Sequence, residues 1–171
     1  MNYKPGTFEY IEAKIRSDAK NREYGFDFEK LCKFYLETAP LFKNQFKNVW
    51  QWEEWPERWK QKEHGIDLVA LTNDGKYWAI QAKCFDPTRQ LIKDDIDSFM
   101  NESGRKKFTY RLLIATTNKT NWIARDILEA AGELAQVIPI GTHLRDQIVK
   151  AEIIWPTDLK KKIIPHEPHK P

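Results

Sequence analysis

The sequence predicts an α/β domain with a mixed central sheet and helices on both faces. Apolar runs flank a tight turn at residues 73–75, which predicts a hairpin, and a nearly continuous apolar run at residues 110–117 is typical of a strand covered on both faces. Segments with helical spacing of apolar residues lie before and after these strands. The predicted order is therefore strand, hairpin, helix, strand, helix and strand, preceded by helices.

The composition fits one globular domain. The chain has 171 residues, of which 41% are hydrophobic and 31% charged, and its formal net charge is +3. No apolar run approaches the ~18 residues of a membrane span, and the first residues are too polar for a signal peptide. We expect a cytoplasmic protein in which Cys32 and Cys84 are buried thiols without a disulfide. A charge so close to balance neither predicts nor excludes a nucleic-acid partner.

Two helices are predicted before the sheet. Phe8, Ile11 and Ile15 have helical spacing, and Thr7 is a suitable N-cap. A second helix is predicted from about Glu23 to Thr38, because its apolar residues share one face that can pack on a sheet.

Four of the seven tryptophans lie in residues 46–60. Val49, Trp50 and Trp52 predict a strand before the hairpin, and residues 55–59 predict a short helix. Such dense aromatic residues usually form a core or a domain contact. Stacking on unpaired DNA bases is the alternative.

Residues 66–72 and 76–85 are predicted to form the hairpin. Gly75 can adopt the left-handed conformation that a three-residue loop requires. Counting outward along both strands then places Asp67 opposite Gln81. Lys83 follows on the same face.

The other face of the hairpin is predicted to be an apolar surface fit for the core. It consists of Ile66, Leu68, Ala70, Trp78, Ile80 and Ala82. A two-residue Asp-Gly turn is an alternative, and it would place Ala82 instead of Gln81 opposite Asp67.

The remaining elements alternate between helix and strand. Ile153–Trp155 adds either a final strand or a packing segment. The predicted ranges are a helix at about 91–103 before Gly104, a strand at 110–117, a helix from Asn121 to Gly132, a strand at 136–140 and a helix at 142–150.

An acid, an amide oxygen and a lysine at the end of a buried hairpin suit phosphodiester chemistry. The Asp67 carboxylate and the Gln81 side-chain oxygen can bind Mg²⁺, together with the backbone carbonyl of Ala82. Lys83 can stabilise charge that develops on the phosphate or lower the pKa of the attacking water. The alternative is an ordinary amphipathic hairpin in which the aspartate and lysine form a solvated ion pair.

Gly65-Ile66-Asp67 followed by Gln81-Ala82-Lys83 resembles the core motif of PD-(D/E)XK nucleases. More narrowly, it resembles the Mrr-like branch, in which glutamine commonly replaces the second acidic residue. The resemblance covers roughly residues 20–150 and implies a restriction-endonuclease-like core and a Mg²⁺-dependent DNA endonuclease that cuts one strand per active site. Ile66 stands where the eponymous proline would be, and Gln81 removes one negative charge from the site.

A second part of the resemblance lies in the helix before the sheet. Residues 25–29, Gly-Phe-Asp-Phe-Glu, are similar to the Gly-x-x-Phe-Glu signature of Mrr-like nucleases. This implies that Glu29 reaches the metal directly or through water and offsets the charge missing at Gln81. The alternative is a surface acid paired with Lys33, four residues further on.

Two stretches are candidate DNA contacts. Pro87 ends the second hairpin strand, so the following loop leaves the sheet just beyond Lys83 and can reach a scissile or neighbouring phosphate. The second stretch is a cluster of basic residues at the end of the next helix. These residues either contact phosphates or form a solvated helix end. The candidates are Thr88, Arg89 and Gln90 in the loop, and Arg105, Lys106 and Lys107 in the cluster.

The tail implies further domains. Residues 1–160 are expected to form the nuclease domain, and residues 161–171 a proline-rich linker. This arrangement resembles the N-terminal nuclease domain of type ISP restriction-modification enzymes, which implies helicase-like and methyltransferase domains in the same polypeptide. Double-stranded DNA is the expected substrate, and a second nuclease domain is expected for double-strand breaks.

Other cofactor sites are not expected within these residues. The chain has no Gly-x-x-x-x-Gly-Lys phosphate loop, no Gly-x-Gly-x-x-Gly, no zinc-spaced Cys/His set and no Gly-x-Ser-x-Gly elbow. ATP and S-adenosylmethionine are therefore expected only in domains outside this chain.

Overall fold

Five strands form one mixed sheet in the order β1-β2-β3-β4-β5. The computed structural model describes residues 2–18, 23–58, 65–104, 108–133 and 140–159. The pairs β1–β2 and β2–β3 are antiparallel, whereas β3–β4 and β4–β5 are parallel. The strands are β1 Phe46–Gln51, β2 Leu68–Thr72, β3 Tyr77–Lys83, β4 Phe108–Ala115 and β5 Ile140–His143.

Helices cover both faces of the sheet, as predicted. Helices α1, α2 and α5 pack against one face, and α3 and α4 pack against the other. No helix in the described ranges has both the length and the apolarity to cross a membrane. The helices are α1 Phe8–Asp18, α2 Glu23–Thr38, α3 Lys93–Ser103, α4 Trp122–Glu133 and α5 Arg145–Val149, with a 3₁₀ turn at Trp52–Glu54.

The hairpin has the predicted three-residue loop. Thr72 N donates to Lys76 O at 2.8 Å, and Gly75 takes a φ of +88°. Leu68 pairs with Ile80 and Leu71 with Tyr77, so one step further out Asp67 lies opposite Gln81. The alternative register, with Ala82 opposite Asp67, is therefore wrong.

The predicted apolar face of the hairpin is correct except for Ile66. Leu68, Ala70 and Ile80 are buried against α1 and α2, but Ile66 packs with Val69 on the opposite face. Ile66 precedes β2, so the alternation of side chains along the strand does not extend to it.

The tryptophan-rich segment differs from the prediction in its short helix. The helical turn is a 3₁₀ turn at Trp52–Glu54, and the described part of the predicted helix, residues 55–58, is not helical. Trp52 and Trp55 are buried beside Phe108. These two side chains therefore form core rather than a surface for unpaired bases.

The later elements shift by a few residues. Helix α4 runs through Gly132 to Glu133, because a glycine within a helix is tolerated without ending it. Strand β5 is described from Ile140, and residues 136–139 of the predicted strand lie outside the described residues. Helix α5 is shorter than predicted because Thr142 belongs to β5. Trp155 is a packing residue and no strand forms there: its N–H donates to Gly6 O at 2.8 Å.

Candidate active site

Asp67 lies at the point where three segments meet. Its backbone N–H donates to Ile80 O at 3.0 Å, and its carbonyl accepts from Trp52 N at 2.9 Å. Its carboxylate oxygen Oδ2 accepts from the backbone N–H of Ala82 at 2.8 Å. The hairpin and the 3₁₀ turn thus orient the carboxylate and leave its second oxygen for another partner.

Gln81 lies in β3, directly before Ala82, and is buried with 3% of its surface exposed. Its Nε2 donates to Gly65 O at 3.0 Å, which orients the amide. Its Oε1 is buried and has no hydrogen-bond partner in the structure. Because an unmade hydrogen bond on a buried acceptor is costly, this oxygen is suited to a ligand.

Glu29 comes from α2, and the charge of Asp67 acts on its carboxylate. Burial raises the pKa of Glu29 to about 8, with further contributions from the negative charges of Asp67 and Glu53. The alternative partner, Lys33, instead forms an ion pair with Glu54 at 3.3 Å. Lys33 thus pairs with a residue outside its own helix, and the role of Glu29 at a metal stays a prediction.

Burial also dominates the electrostatics of Asp67. It raises the pKa of Asp67 to about 6, while the Ala82 N–H and the Lys83 charge oppose the shift and Glu53 adds to it. Carboxylates whose pKa values rise through burial and mutual repulsion favour the arrival of a cation. Two of these acids, Glu29 and Asp67, lie in the helix and the hairpin that carry the resemblance to Mrr-like nucleases.

Glu53 was missed by sequence reasoning. It lies in the 3₁₀ turn directly after Trp52, whose N–H contacts the Asp67 carbonyl. The segment looked like an aromatic core element, and no local pattern marks one of its acids as facing the hairpin. Only the packing of the turn on β2 brings Glu53 to Asp67.

Two cysteine thiols lie near the site and are free. Cys32 is buried on α2, and burial together with the charges of Cys84, Asp67 and Glu29 raises its thiol pKa well above its usual value. Burial raises the pKa of Cys84 to about 11. Both thiols are thus protonated near neutral pH, which excludes an activated cysteine nucleophile here.

Lys83 is the last residue of β3, and the loop after it is tightly held. Arg89 stacks on the Phe85 ring, with its guanidinium carbon 3.7 Å from the ring centroid, and pairs with Asp95 at 3.0 Å. The N–H and the hydroxyl of Thr88 both donate to Asp86 Oδ1, at 2.8 and 2.6 Å.

The predicted DNA contacts divide into two groups. Thr88, Arg89 and Gln90 lie on the loop that leaves β3, and all three are exposed, as a DNA contact requires. Arg105, Lys106 and Lys107 lie outside the described residues, as does the tail at 160–171.

A buried ion-pair cluster contacts the backbone next to the end of β3. Arg145 donates two hydrogen bonds of 2.6 Å to Glu12, and Arg16 donates a third of 3.2 Å. Arg16 also donates to Phe85 O at 2.6 Å, and Arg145 to Thr116 O at 3.1 Å. The cluster joins α1 and α5 to the strand ends next to Lys83.

The donor set fits a hard divalent cation. A free carboxylate oxygen on Asp67, the unpartnered Gln81 Oε1 and the Glu29 carboxylate are the oxygen ligands that Mg²⁺ prefers. Within the described ranges, no three His, Cys, Asp or Glu side chains are arranged to hold a metal. The predicted set, in which the Gln81 amide oxygen and the Ala82 carbonyl accompany the carboxylates, stays a prediction.

Comparison with protein families gives a match over most of the chain. A family model described as restriction endonuclease, of the Mrr catalytic type, matches residues 37–163. The match contains the whole hairpin and begins after Glu29. No match to a curated protein was found.

A solved structure of a restriction enzyme shares the fold. The ATP-dependent type ISP restriction-modification enzyme LlaBIII, bound to DNA, superposes with a TM-score of 0.67 and 27% identity over 85% of this chain. The chain spans only 8% of the length of LlaBIII. MspJI in complex with a 27-mer oligonucleotide and the DNA modification-dependent AspBHI each give a TM-score of 0.49 and 13% identity, covering 82% of this chain and 29% and 32% of theirs. The expectation of a restriction-endonuclease-like core is confirmed.

Proposed function

The chain belongs to the Mrr-type restriction endonuclease family, and from this we propose that it is a Mg²⁺-dependent DNA endonuclease domain that hydrolyses one strand per active site. What supports the proposal is that Oδ2 of Asp67 accepts from the N–H of Ala82, the residue between Gln81 and Lys83 at the end of β3. An ordinary amphipathic hairpin would not leave a buried amide oxygen such as Gln81 Oε1 without a partner.

Each side chain has a role that follows from its environment. Asp67 is the principal metal ligand, because the Ala82 N–H orients one carboxylate oxygen and leaves the other available to the metal. Gln81 is a neutral ligand through Oε1, and the Ala82 carbonyl is the backbone ligand. Glu29 supplies charge to the metal directly or through water. Lys83 stabilises the negative charge that develops on the phosphate.

The bound Mg²⁺ would polarise the phosphate and lower the pKa of a coordinated water. Asp67, Gln81 and Glu29 would hold the metal, and Lys83 would stabilise the charge on the phosphate. Thr88, Arg89, Gln90 and the cluster Arg105, Lys106 and Lys107 are proposed to bind the DNA backbone, which carries no sequence information.

Cleavage position is therefore proposed to depend on partners. By similarity to the type ISP enzyme, we propose helicase-like and methyltransferase domains in the same polypeptide, which would use ATP and S-adenosylmethionine outside this chain. A double-strand break would need a second nuclease domain, because each site holds one strand. A cytoplasmic location is proposed for such an enzyme.

The test is nicking of supercoiled plasmid by the natural full-length protein, with Mg²⁺, with Ca²⁺ and with chelator. Asp67→Ala and Lys83→Ala should each reduce nicking by about 10²-fold or more, as expected when a charge-stabilising group is removed from an active site. Activity that survives either substitution would contradict the proposed site.

A catalytically silent DNA-binding module is the second candidate. The neutral Gln81 favours it, because one negative charge is missing from the site. DNA binding without metal-dependent nicking by the full-length protein would support this candidate over the first.

A further inference from the structure

Two cations next to the proposed site contact the same aromatic ring. The guanidinium of Arg89 lies 3.7 Å from the centroid of the Phe85 ring, and the ammonium of Lys83 lies 6.0 Å from it. Both distances are within the range of cation–π attraction, the lysine at its limit. Phe85 follows Lys83 by two residues, just after β3 ends.

The main chain of Phe85 is held as firmly as a strand residue, although it lies in a loop. Its N–H donates to Thr116 Oγ1 at 2.7 Å, and its carbonyl accepts from that hydroxyl and from Arg16 Nη2, each at 2.6 Å. Thr116 is fully buried. Thus the ring of Phe85 has a defined position relative to Lys83.

Arg89 is held from two sides. The ring covers the guanidinium plane, and Asp95 accepts from Nη1 at 3.3 Å and from Nη2 at 3.0 Å. Asp95 also accepts from the N–H of Ile92, so it is anchored at the start of α3. Two of the five guanidinium donors are used in this way, which leaves the others for a phosphate.

We infer that Phe85 is a positioning residue of the cleavage site: its ring holds Arg89 beside Lys83, so that two cations face one DNA backbone. The inference rests on the proposed nuclease function. Each of the two cations is attracted to the ring, whose negative face offsets part of any repulsion between their like charges until a phosphate arrives. Because Arg89 is restrained in this way, its side chain loses little conformational entropy when it binds the phosphate.

The experiment compares Phe85→Leu, Phe85→Tyr and Arg89→Gln in the natural full-length protein. Phe34→Leu is the matched control, because Phe34 is also partly buried but packs on Trp155. The measurements are the single-turnover nicking rate with Mg²⁺ and the salt dependence of DNA affinity with Ca²⁺.

Phe85→Leu should slow nicking about 3- to 10-fold, the range that the loss of a cation–π contact allows, and Phe85→Tyr should restore the rate. Arg89→Gln should make the salt slope shallower by about 0.9, which corresponds to one lost phosphate contact. Phe85→Leu should make the slope shallower in the same sense. In the variant that carries both Phe85→Leu and Arg89→Gln, the combined effect should be smaller than the sum of the two separate free-energy changes.

A purely structural role would lower the melting temperature of Phe85→Leu and of Phe34→Leu alike and leave the salt slope unchanged. An unchanged slope, or fully multiplicative effects in the double variant, would overturn the inference. One outcome would contradict the role of Phe85 alone. In it, the wild-type protein nicks DNA, Asp67→Ala does not, and Phe85→Leu nicks at the wild-type rate. If wild type nicks no better than Asp67→Ala, the proposed function fails, and the salt slope still tests Phe85.

Discussion

Gly65 controls the orientation of the Gln81 amide. Its carbonyl accepts from Gln81 Nε2, and its φ of +63° lies in the left-handed region. A Cβ at this position would lie 2.6 Å from Ser98 Oγ and 3.0 Å from Phe99 N. The glycine is thus required both for its backbone conformation and for the close approach of α3.

Replacing Gly65 with alanine should destabilise the protein by about 1–3 kcal/mol, because backbone strain adds to the clash with α3. Gly75→Ala is the matched control: its φ is +88°, but a Cβ there would meet nothing within 4 Å. It should cost about 1 kcal/mol, from strain alone. Urea unfolding measures both, and equal losses would contradict the contribution of the clash with α3.

At the level of helices and strands, the ion-pair cluster attaches α1 to the family domain. Glu12 and Arg145 are separated by 133 positions, and their side chains are 8% and 17% exposed. The residues matched by the family model begin at residue 37, so α1 precedes them. The cluster therefore joins α1, which precedes the matched residues, to α5 and to the backbone next to the end of β3.

Glu12→Gln should destabilise the protein by roughly 3–5 kcal/mol, because it leaves two arginines without their shared carboxylate in a buried place. The control is Asp97→Asn, which breaks the exposed pair of Lys93 and Asp97 within α3. That loss should be about 0.5 kcal/mol or less. Denaturant midpoints measure the difference, and similar losses for the two variants would contradict the buried role of Glu12.

Three buried carboxyl groups should each make a contribution to stability that is lost as the pH rises. Glu29, Asp67 and Glu37 all have raised pKa values, to about 8, 6 and 7, with burial as the largest cause. The folded state therefore holds these protons more tightly than the unfolded chain. Their stabilising contribution is fully present below about pH 4 and is lost as the pH rises through the folded-state values.

Glu29→Gln should remove part of this pH dependence. Without metal, its melting temperature should exceed that of wild type at pH 8.5 by ~2–4 °C, equivalent to about 1 kcal/mol once solvent screening is considered. At pH 4 the two proteins should melt alike, because Glu29 is then protonated in both states. Thermal melts across pH 4–9 test this, and a constant difference at all pH values would contradict it.

The sequence alone determined the hairpin and its polar face. The loop length, the left-handed Gly75 and the side-chain alternation of β2 and β3 are local properties, so the register that pairs Asp67 with Gln81 could be predicted. The family motif and the order of helices and strands could likewise be predicted from the sequence. Helix α2 has the predicted bounds.

Only the tertiary structure decided what surrounds that hairpin. The approach of Glu53 to Asp67, the pairing of Glu12 with Arg145 and the stacking of Arg89 on Phe85 have no signal in the local pattern. The first two join residues far apart in the chain, whose distance depends on how the elements pack on the sheet. The third depends on a loop whose course is set by Thr116, Arg16 and Asp95. Periodicity specifies which face of an element is buried, but not which side chain of another element it will meet there.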